Sequence, residues 1–265
     1  MTIASLDNYI AAPKQNCIIR KTATRVSIAN SWFSVFDLAG DPGAGTLAGT
    51  SVAAGVVPTD ATAGVPIINA FGGSATGYLT RVEFGSSVAC RIRVYDLLFK
   101  AGAYAFNAAQ TLAAQPSFSS RVPGGTDFKG LELWVETVTV FTGNLSIAVT
   151  YTADGGGTGH TTGTVATGIA PTLGRMIQLP LQAGDAGLSK VESVTATVAT
   201  VGTFNVLVLR PLWTGRVIAA NMGDLHDMIR VGMPQVWTDS ALIAIVEADS
   251  TSTGILDLML EVANG

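Results

Sequence analysis

Charge is what this sequence is shortest of: Asp, Glu, Lys and Arg make up 13% of its 265 residues, against about 25% in an ordinary soluble domain. So neutral a surface is tolerable where partners cover much of it, because an uncovered one associates. The 15 basic and 19 acidic residues leave a net charge of -4, so phosphate backbones meet no general attraction. Nucleic acid is not expected as a principal partner.

Histidine is scarcer still, limited to His160 and His226. A hydrolytic triad needs a base held by a third group, and a zinc site needs several converging ligands. Neither requirement is met, so the chain is expected to be no enzyme and to carry no metal or cofactor. His160 lies in the glycine-rich run Thr152–Gly163, where a solvated linker residue is expected, and His226, between Asp224 and Asp227, suits a polar loop or helix. Glu132, Glu136 and Glu247 fall on predicted strands, which leaves a glycosidase-like carboxylate pair open, although structural repetition accounts for Glu136 and Glu247 more simply.

Cys17 and Cys90 lie far apart, and Cys90 belongs to an alternating apolar set with Ile92 and Val94, so no disulfide is expected. The charge-free stretches are broken by Thr, Gly and Pro, so none reads as a membrane helix. The first residues, interrupted by Asp7 and Pro13, lack the basic flank and apolar centre of a secretory signal, which predicts synthesis in a cytoplasm without secretion. The segments Asp41–Gly45 and Asp154–Gly157 carry neither the lysine and serine of a phosphate loop nor the spaced carboxylates of a calcium loop, and they read as turns.

What the sequence does have is an internal repeat. VAAGVVPT from Val52 matches VATGIAPT from Val165, GYLTRVE from Gly77 matches AGLSKVE from Ala186, and VYDLLF from Val94 matches VLRPLW from Val208. Arg121 and Val122 match Arg230 and Val231, and LELWVETVTVFTGNL from Leu131 matches LIAIVEADSTSTGIL from Leu242. The blocks keep their order at separations of 109 to 114. Residues 46–155 and 156–265 are therefore expected to be two copies of one module, with residues 1–45 as an unduplicated N-terminal arm.

Within each copy the side chains alternate. Leu145, Ile147, Val149 and Tyr151 interleave with Ser146, Ala148 and Thr150, as Leu256, Leu258, Leu260 and Val262 do with Asp257, Met259 and Glu261. A period of two marks half-buried strands, and glycine- or proline-bearing turns separate them. The expected fold is all-β: two tandem jelly-roll-like antiparallel β-sandwich modules behind an arm, an immunoglobulin-like order being the alternative.

The candidate interface has two parts. In the arm, Ile3, Leu6, Tyr9 and Ile10 form an apolar stripe, and Trp32, Phe33 and Phe36 cluster downstream. In LELWVE, an inward set of Leu131, Leu133 and Val135 turns Trp134 to the opposite face, which carries Ile243 and Ile245 in the second copy. Such a face needs a cover: another subunit, the sister sheet or the linker.

The opening SLDNYIAA, the strings GVVPTDATAG, VPGG and LQAGDAG, the low charge and the doubled β pattern together resemble virion structural proteins of tailed bacteriophages. The resemblance implies a head decoration or cement protein on a capsid shell, with the major capsid protein or other virion subunits as partners and a homotrimer favoured, binding through several weak contacts at once. It locates the chain in the virion, assembled in the host cytoplasm. A double jelly-roll major capsid protein and a carbohydrate- or receptor-binding virion module are the alternatives.

Overall fold

A computed structural model describes residues 3–72, 76–105, 109–168, 171–197 and 201–265; Ile169 and Ala170 of the first repeat match fall outside them. The chain up to Ala153 contributes α1 (Leu6–Ala11), β1 (Lys14–Lys21), β2 (Trp32–Ser34), β3 (Gly40–Asp41), β4 (Ser51–Val56), β5 (Gly77–Ser86), β6 (Cys90–Tyr104), β7 (Gln110–Thr111), β8 (Glu132–Thr139) and β9 (Ser146–Ala153). The remainder contributes β10 (His160–Thr161), β11 (Val165–Ala166), β12 (Arg175–Leu179), β13 (Leu188–Thr197), β14 (Thr203–Val217), β15 (Met222–His226), α2 (Met228–Val231), β16 (Gln235–Val236), β17 (Leu242–Ala248) and β18 (Leu256–Asn264). The all-β expectation holds.

Strands β14, β8, β12, β2, β17 and β6 pair in that order, and β6 pairs back onto β14, which closes a barrel with β4 attached to β6. An outer sheet in the order β15-β5-β18-β1-β3, with β16 also on β5, covers one part of the barrel wall; a second, in the order β10-β9-β13-β7 with β11 on β9, covers another. The result is two antiparallel sandwiches that share one barrel. Three apolar cores follow. Cys17, Ile19, Val82 and Leu258 of the first outer sheet meet Ile92, Trp213 and Val246 of the wall. Ile147, Tyr151 and Val191 of the second meet Leu98, Leu133 and Val206. Leu97, Trp134, Leu207, Ile243 and Ile245 fill the barrel. Strands covered on both faces lose their alternation, which explains the continuous buried runs Leu97 to Phe99 and Val206 to Leu209.

The strand register pairs the two halves of the sequence about a pseudo-two-fold axis. Its centre is the long pair β6 and β14, where Val94 stands opposite Trp213, Asp96 opposite Arg210 and Phe99 opposite Val208, so each aligned residue faces its counterpart's partner. The copies are nevertheless not separate bodies. β18 of the second copy lies in the first outer sheet against β5 and β1, and β9 of the first copy lies in the second outer sheet against β13 and β10. The division at residue 155 is thus a division of sequence only.

The N-terminal arm also needs correction. β1 pairs with β18 from Lys14↔Ala263 to Lys21↔Leu256, and its inward side chains Cys17, Ile19 and Lys21 are buried. Residues 14–45 are structural, and they are duplicated too: β1 lies on β18 as β10 lies on β9, and β2 lies on β17 as β12 lies on β8. α1 itself pairs with no strand. Ser5 caps α1 by accepting a hydrogen bond from the Asn8 amide, as short polar residues do at helix starts.

At the axis the Asp96 carboxylate is fully buried. It meets Arg121 Nη1 at 3.2 Å and Arg210 Nη2 at 3.3 Å, and it accepts hydrogen bonds from Ser240 Oγ at 2.8 Å and the Ala241 amide at 2.9 Å. Arg121 also donates to the Leu97 and Asp239 carbonyls. Removing one member strands buried charge, so Asp96→Ala should cost about 3–5 kcal/mol in urea unfolding. Arg20→Ala, which breaks a pair with Asp257 that is about half exposed, should cost at most about 1 kcal/mol. Equal losses would show that the axis is not a point of special stability.

Candidate functional site

The sequence-derived interface residues divide sharply. Phe33, Phe36, Ile243 and Ile245 are buried, Trp134 is 1% exposed, and Trp32 is half-buried against the barrel core. Phe36, Trp134, Ile243 and Ile245 belong to the barrel core with Trp32 packed against it, and Phe33 is fully buried, so none of the buried five is open to a partner. The face of β8 opposite Leu133 and Val135 does carry Trp134 as expected, but the sister strands of the barrel cover it. On α1, Leu6 and Ile10 stay exposed. Ile3 and Tyr9 are half-buried, and the Tyr9 hydroxyl donates to Glu261 Oε1 at 2.8 Å. Lys14 Nζ donates to the Tyr9 and Ala12 carbonyls, so α1 is fastened to its own sheet.

The barrel is steeply sheared. The register line that leaves β6 at Arg91 passes Glu247, Trp32, Met176, Glu136 and Asn205 and returns to β6 beside Ala101. Glu247 and Glu136 therefore lie near opposite ends of the barrel and cannot flank one glycosidic bond. At one end Arg91 Nη1 donates to Glu247 Oε2 at 2.7 Å. Nearby, Glu132 Oε2 accepts from Tyr95 Oη at 2.9 Å and from Trp134 Nε1 at 2.7 Å. Arg93 donates to Tyr95 Oη at 3.1 Å and lies over the Trp32 ring, 4.6 Å from its centre. Burial, and then the charge of Glu132, push the Tyr95 phenol above its ordinary range against the opposing pull of Arg93. It stays protonated and serves as a donor.

At the other end, Lys100 Nζ donates to the Thr46 carbonyl at 3.0 Å and lies 3.8 Å from Glu136 Oε2. The same carboxylate oxygen accepts from Asn205 Nδ2 at 2.8 Å. Residues 46–63 fold over this end and leave a cavity of about 290 Å³ lined by Phe36, Thr46, Val57, Pro58, Leu97 and Lys100.

Both histidines have fixed partners. His160 is not a loose linker residue: its Nδ1 lies 2.7 Å from Asp185 Oδ2, which also accepts from the Tyr151 hydroxyl at 2.6 Å. Those two hydrogen bonds hold the Asp185 carboxyl below its ordinary range. His226 Nδ1 accepts from Trp213 Nε1 at 2.9 Å, and its ring meets Phe84 edge-on. Neither histidine has a serine, threonine or cysteine among these partners. Among the described residues no group of three His, Cys, Asp or Glu side chains is placed to hold a metal ion, and no helix is long and apolar enough to cross a membrane.

The surface has two notable depressions. Gly85 and Gly223, paired in register, line a trough of about 560 Å³ together with Arg20, Arg81, Glu83, Asp224 and Asp257. A second groove of about 370 Å³, beside the junction of β2 and β12, is lined by Val26, Leu38, Val140 and Leu173 over the pair formed by the buried Arg25 and the half-buried Asp37. Val26 is 73% exposed, and Val140 and Leu173 are exposed as well.

No protein-family model matches this chain, and no curated protein matches it. Among solved structures it is similar to a mutant VP2 protein of infectious bursal disease virus from T=1 particles, at 10% identity over 96% of this chain and 77% of that one, with a TM-score of 0.19. The VP2 subviral particle of the same virus gives 11% identity, 96% and 80% coverage, and a TM-score of 0.17. Backbone agreement at this level says nothing about this chain's role.

The geometry of His226 fixes a pH response. Burial first, then Arg230, holds its pKa below the ordinary histidine value, against the opposite pull of Asp224 and Asp227. The unfolded chain then takes up a proton near pH ~6.5 that the folded chain resists. His226 thus contributes fully above that pH, and the contribution is lost as pH falls through it. The melting temperature should drop between about pH 7.5 and about pH 5.5, and His226→Gln, which keeps an acceptor for Trp213, should flatten that drop. An unchanged pH profile in the variant would remove His226 as its source.

Proposed function

We propose that this chain is a non-enzymatic structural component of a virion that bridges neighbouring capsid subunits, in the manner of a head decoration or cement protein, and that it works as a homo-oligomer, a trimer being favoured. The observation that carries the reading is the groove formed by Val26, Val140 and Leu173: three separate chain segments bring large aliphatic side chains together at the surface. Apolar surface gathered in this way marks a contact with another protein. Leu6 and Ile10 on α1 supply a second, smaller apolar contact. Two modest contacts on each copy, multiplied by an oligomer on a repeating lattice, give avidity that neither has alone.

The buried charged groups support the absence of catalysis. Asp96 is fully buried among fixed internal partners, so it is committed to holding strands together. The low overall charge fits a surface that is largely covered in the assembled particle.

Purified protein should run in size-exclusion chromatography with light scattering at the mass of three chains, and it should sediment with capsids. Val26→Asp combined with Leu173→Asp should stay folded, with stability within about 0.5 kcal/mol of the parent, and should lose capsid binding. Removal of residues 1–12 should weaken binding while β1 remains in its sheet. A wild-type chain that never binds capsids, or a groove variant that binds as well as wild type, would overturn the reading.

A further inference from the structure

The two barrel ends are related by the repeat but chemically unlike. Under the offset that places Val94 on Val208, Asn205 corresponds to Arg91 and Lys100 to Thr214, while Glu136 corresponds to Glu247 in the LELWVE match. One end thus holds an Arg91–Glu247 ion pair with Arg91 54% exposed. The other holds Lys100 and Glu136 with side chains 7% and 3% exposed, beside a fully buried Asn205. The fold does not require a lysine and an asparagine beside that glutamate, since the related end keeps Glu247 but carries Thr214 and Arg91 in their places.

The three side chains come from adjacent strands: β14, which carries Asn205, lies between β6 with Lys100 and β8 with Glu136. Glu136 Oε2 accepts from Asn205 Nδ2 at 2.8 Å and forms an ion pair with Lys100 Nζ at 3.8 Å. The carboxamide is held at every polar atom: Nδ2 also donates to the Leu47 carbonyl at 2.7 Å, and Oδ1 accepts from the Gly49 amide at 2.8 Å. Two glycines make room for it. A Cβ at Gly102 would fall 2.4 Å from Asn205 Oδ1, and one at Gly49 2.9 Å from it. The Phe36 ring, 5.0 Å from Lys100 Nζ, closes the apolar side.

We propose that Lys100 and Asn205 join in an intramolecular isopeptide bond, with Glu136 as the proton carrier. Glu136 takes a proton from the Lys100 ammonium, and the freed Nζ lone pair attacks Asn205 Cγ. The Gly49 N–H already points at Oδ1, where negative charge develops in the tetrahedral intermediate. Glu136 delivers its proton to Nδ2 and takes a second from Nζ. The Cγ–Nδ2 bond breaks, the Cγ–Nζ amide remains, and ammonia leaves with the second proton as ammonium. No oxidant or other reactant is needed, and Glu136 ends as it began. The water-poor surroundings favour the step by keeping donors and acceptors fixed. The bond would tie β6 of the first copy to β14 of the second, covalently joining the two strands on which both copies depend.

Intact-mass spectrometry of the full-length folded protein tests this, followed by peptide mapping after proteolysis. The expected mass is below that of the sequence by one ammonia, about 17 Da, with the Lys100 and Asn205 peptides recovered as one branched species. Glu136→Ala and Lys100→Arg should each restore the full mass. If either variant fails to fold, the branched peptide of the wild-type protein still decides. A wild-type chain at full sequence mass with the two peptides separate overturns the proposal, as does a 17 Da loss that maps to any other residue. Persistence of the bond in a folded Glu136→Ala overturns the role given to Glu136.

Discussion

The pairing of β6 with β14 is the interaction on which the rest of the molecule depends. These two strands are long enough to face both outer sheets, and they belong to different copies of the repeat. Because each core takes one wall from this pair, neither core can form until the pair does. The buried Asp96 cluster lies at its midpoint. Antiparallel pairing with an offset insensitive to small slips would leave the two copies free to slide, whereas Asp96 with Arg121, Arg210 and Ser240 admits one register only. A buried charge of this kind specifies arrangement more than it adds stability.

Interleaving follows from the same geometry. Each copy ends in a strand, β9 or β18, that completes the sheet begun by the other copy's β13 or β5. An exposed sheet edge invites pairing with another chain, and here each copy closes the other's edge within a single chain. That leaves the surface for more specific contacts, of which the Val26, Val140 and Leu173 groove is the most apolar of the two depressions described.

The sequence made the repeat legible because β5 and β13, β6 and β14, β8 and β17, and β9 and β18 are long enough to keep their apolar pattern. It hid the matching of β1 with β10 and β2 with β12, since β10 has two residues and β2 three, too few to show a period. The alternation in LELWVE marks two faces, but which of them meets water depends on how the barrel closes, through partners on β14 that lie 64 to 77 residues further along the chain. For the same reason Trp134 looked like an anchor for a partner and is a barrel-filling side chain. The cluster of Lys100, Glu136 and Asn205 carried no sequence signal: its members come from three strands, and only the register line around the barrel brings them together. His160 was hidden likewise, because its partner Asp185 lies in another turn.

The central claim is that the two copies fold only as an interleaved pair, and cutting the chain after Gly157 tests it most directly. The two fragments, compared by amide chemical-shift dispersion and urea unfolding, should each be unfolded alone and should recover a single cooperative transition when mixed. A fragment that by itself gives a dispersed spectrum and a cooperative transition would contradict the account, because it would mean that one copy can complete its own core.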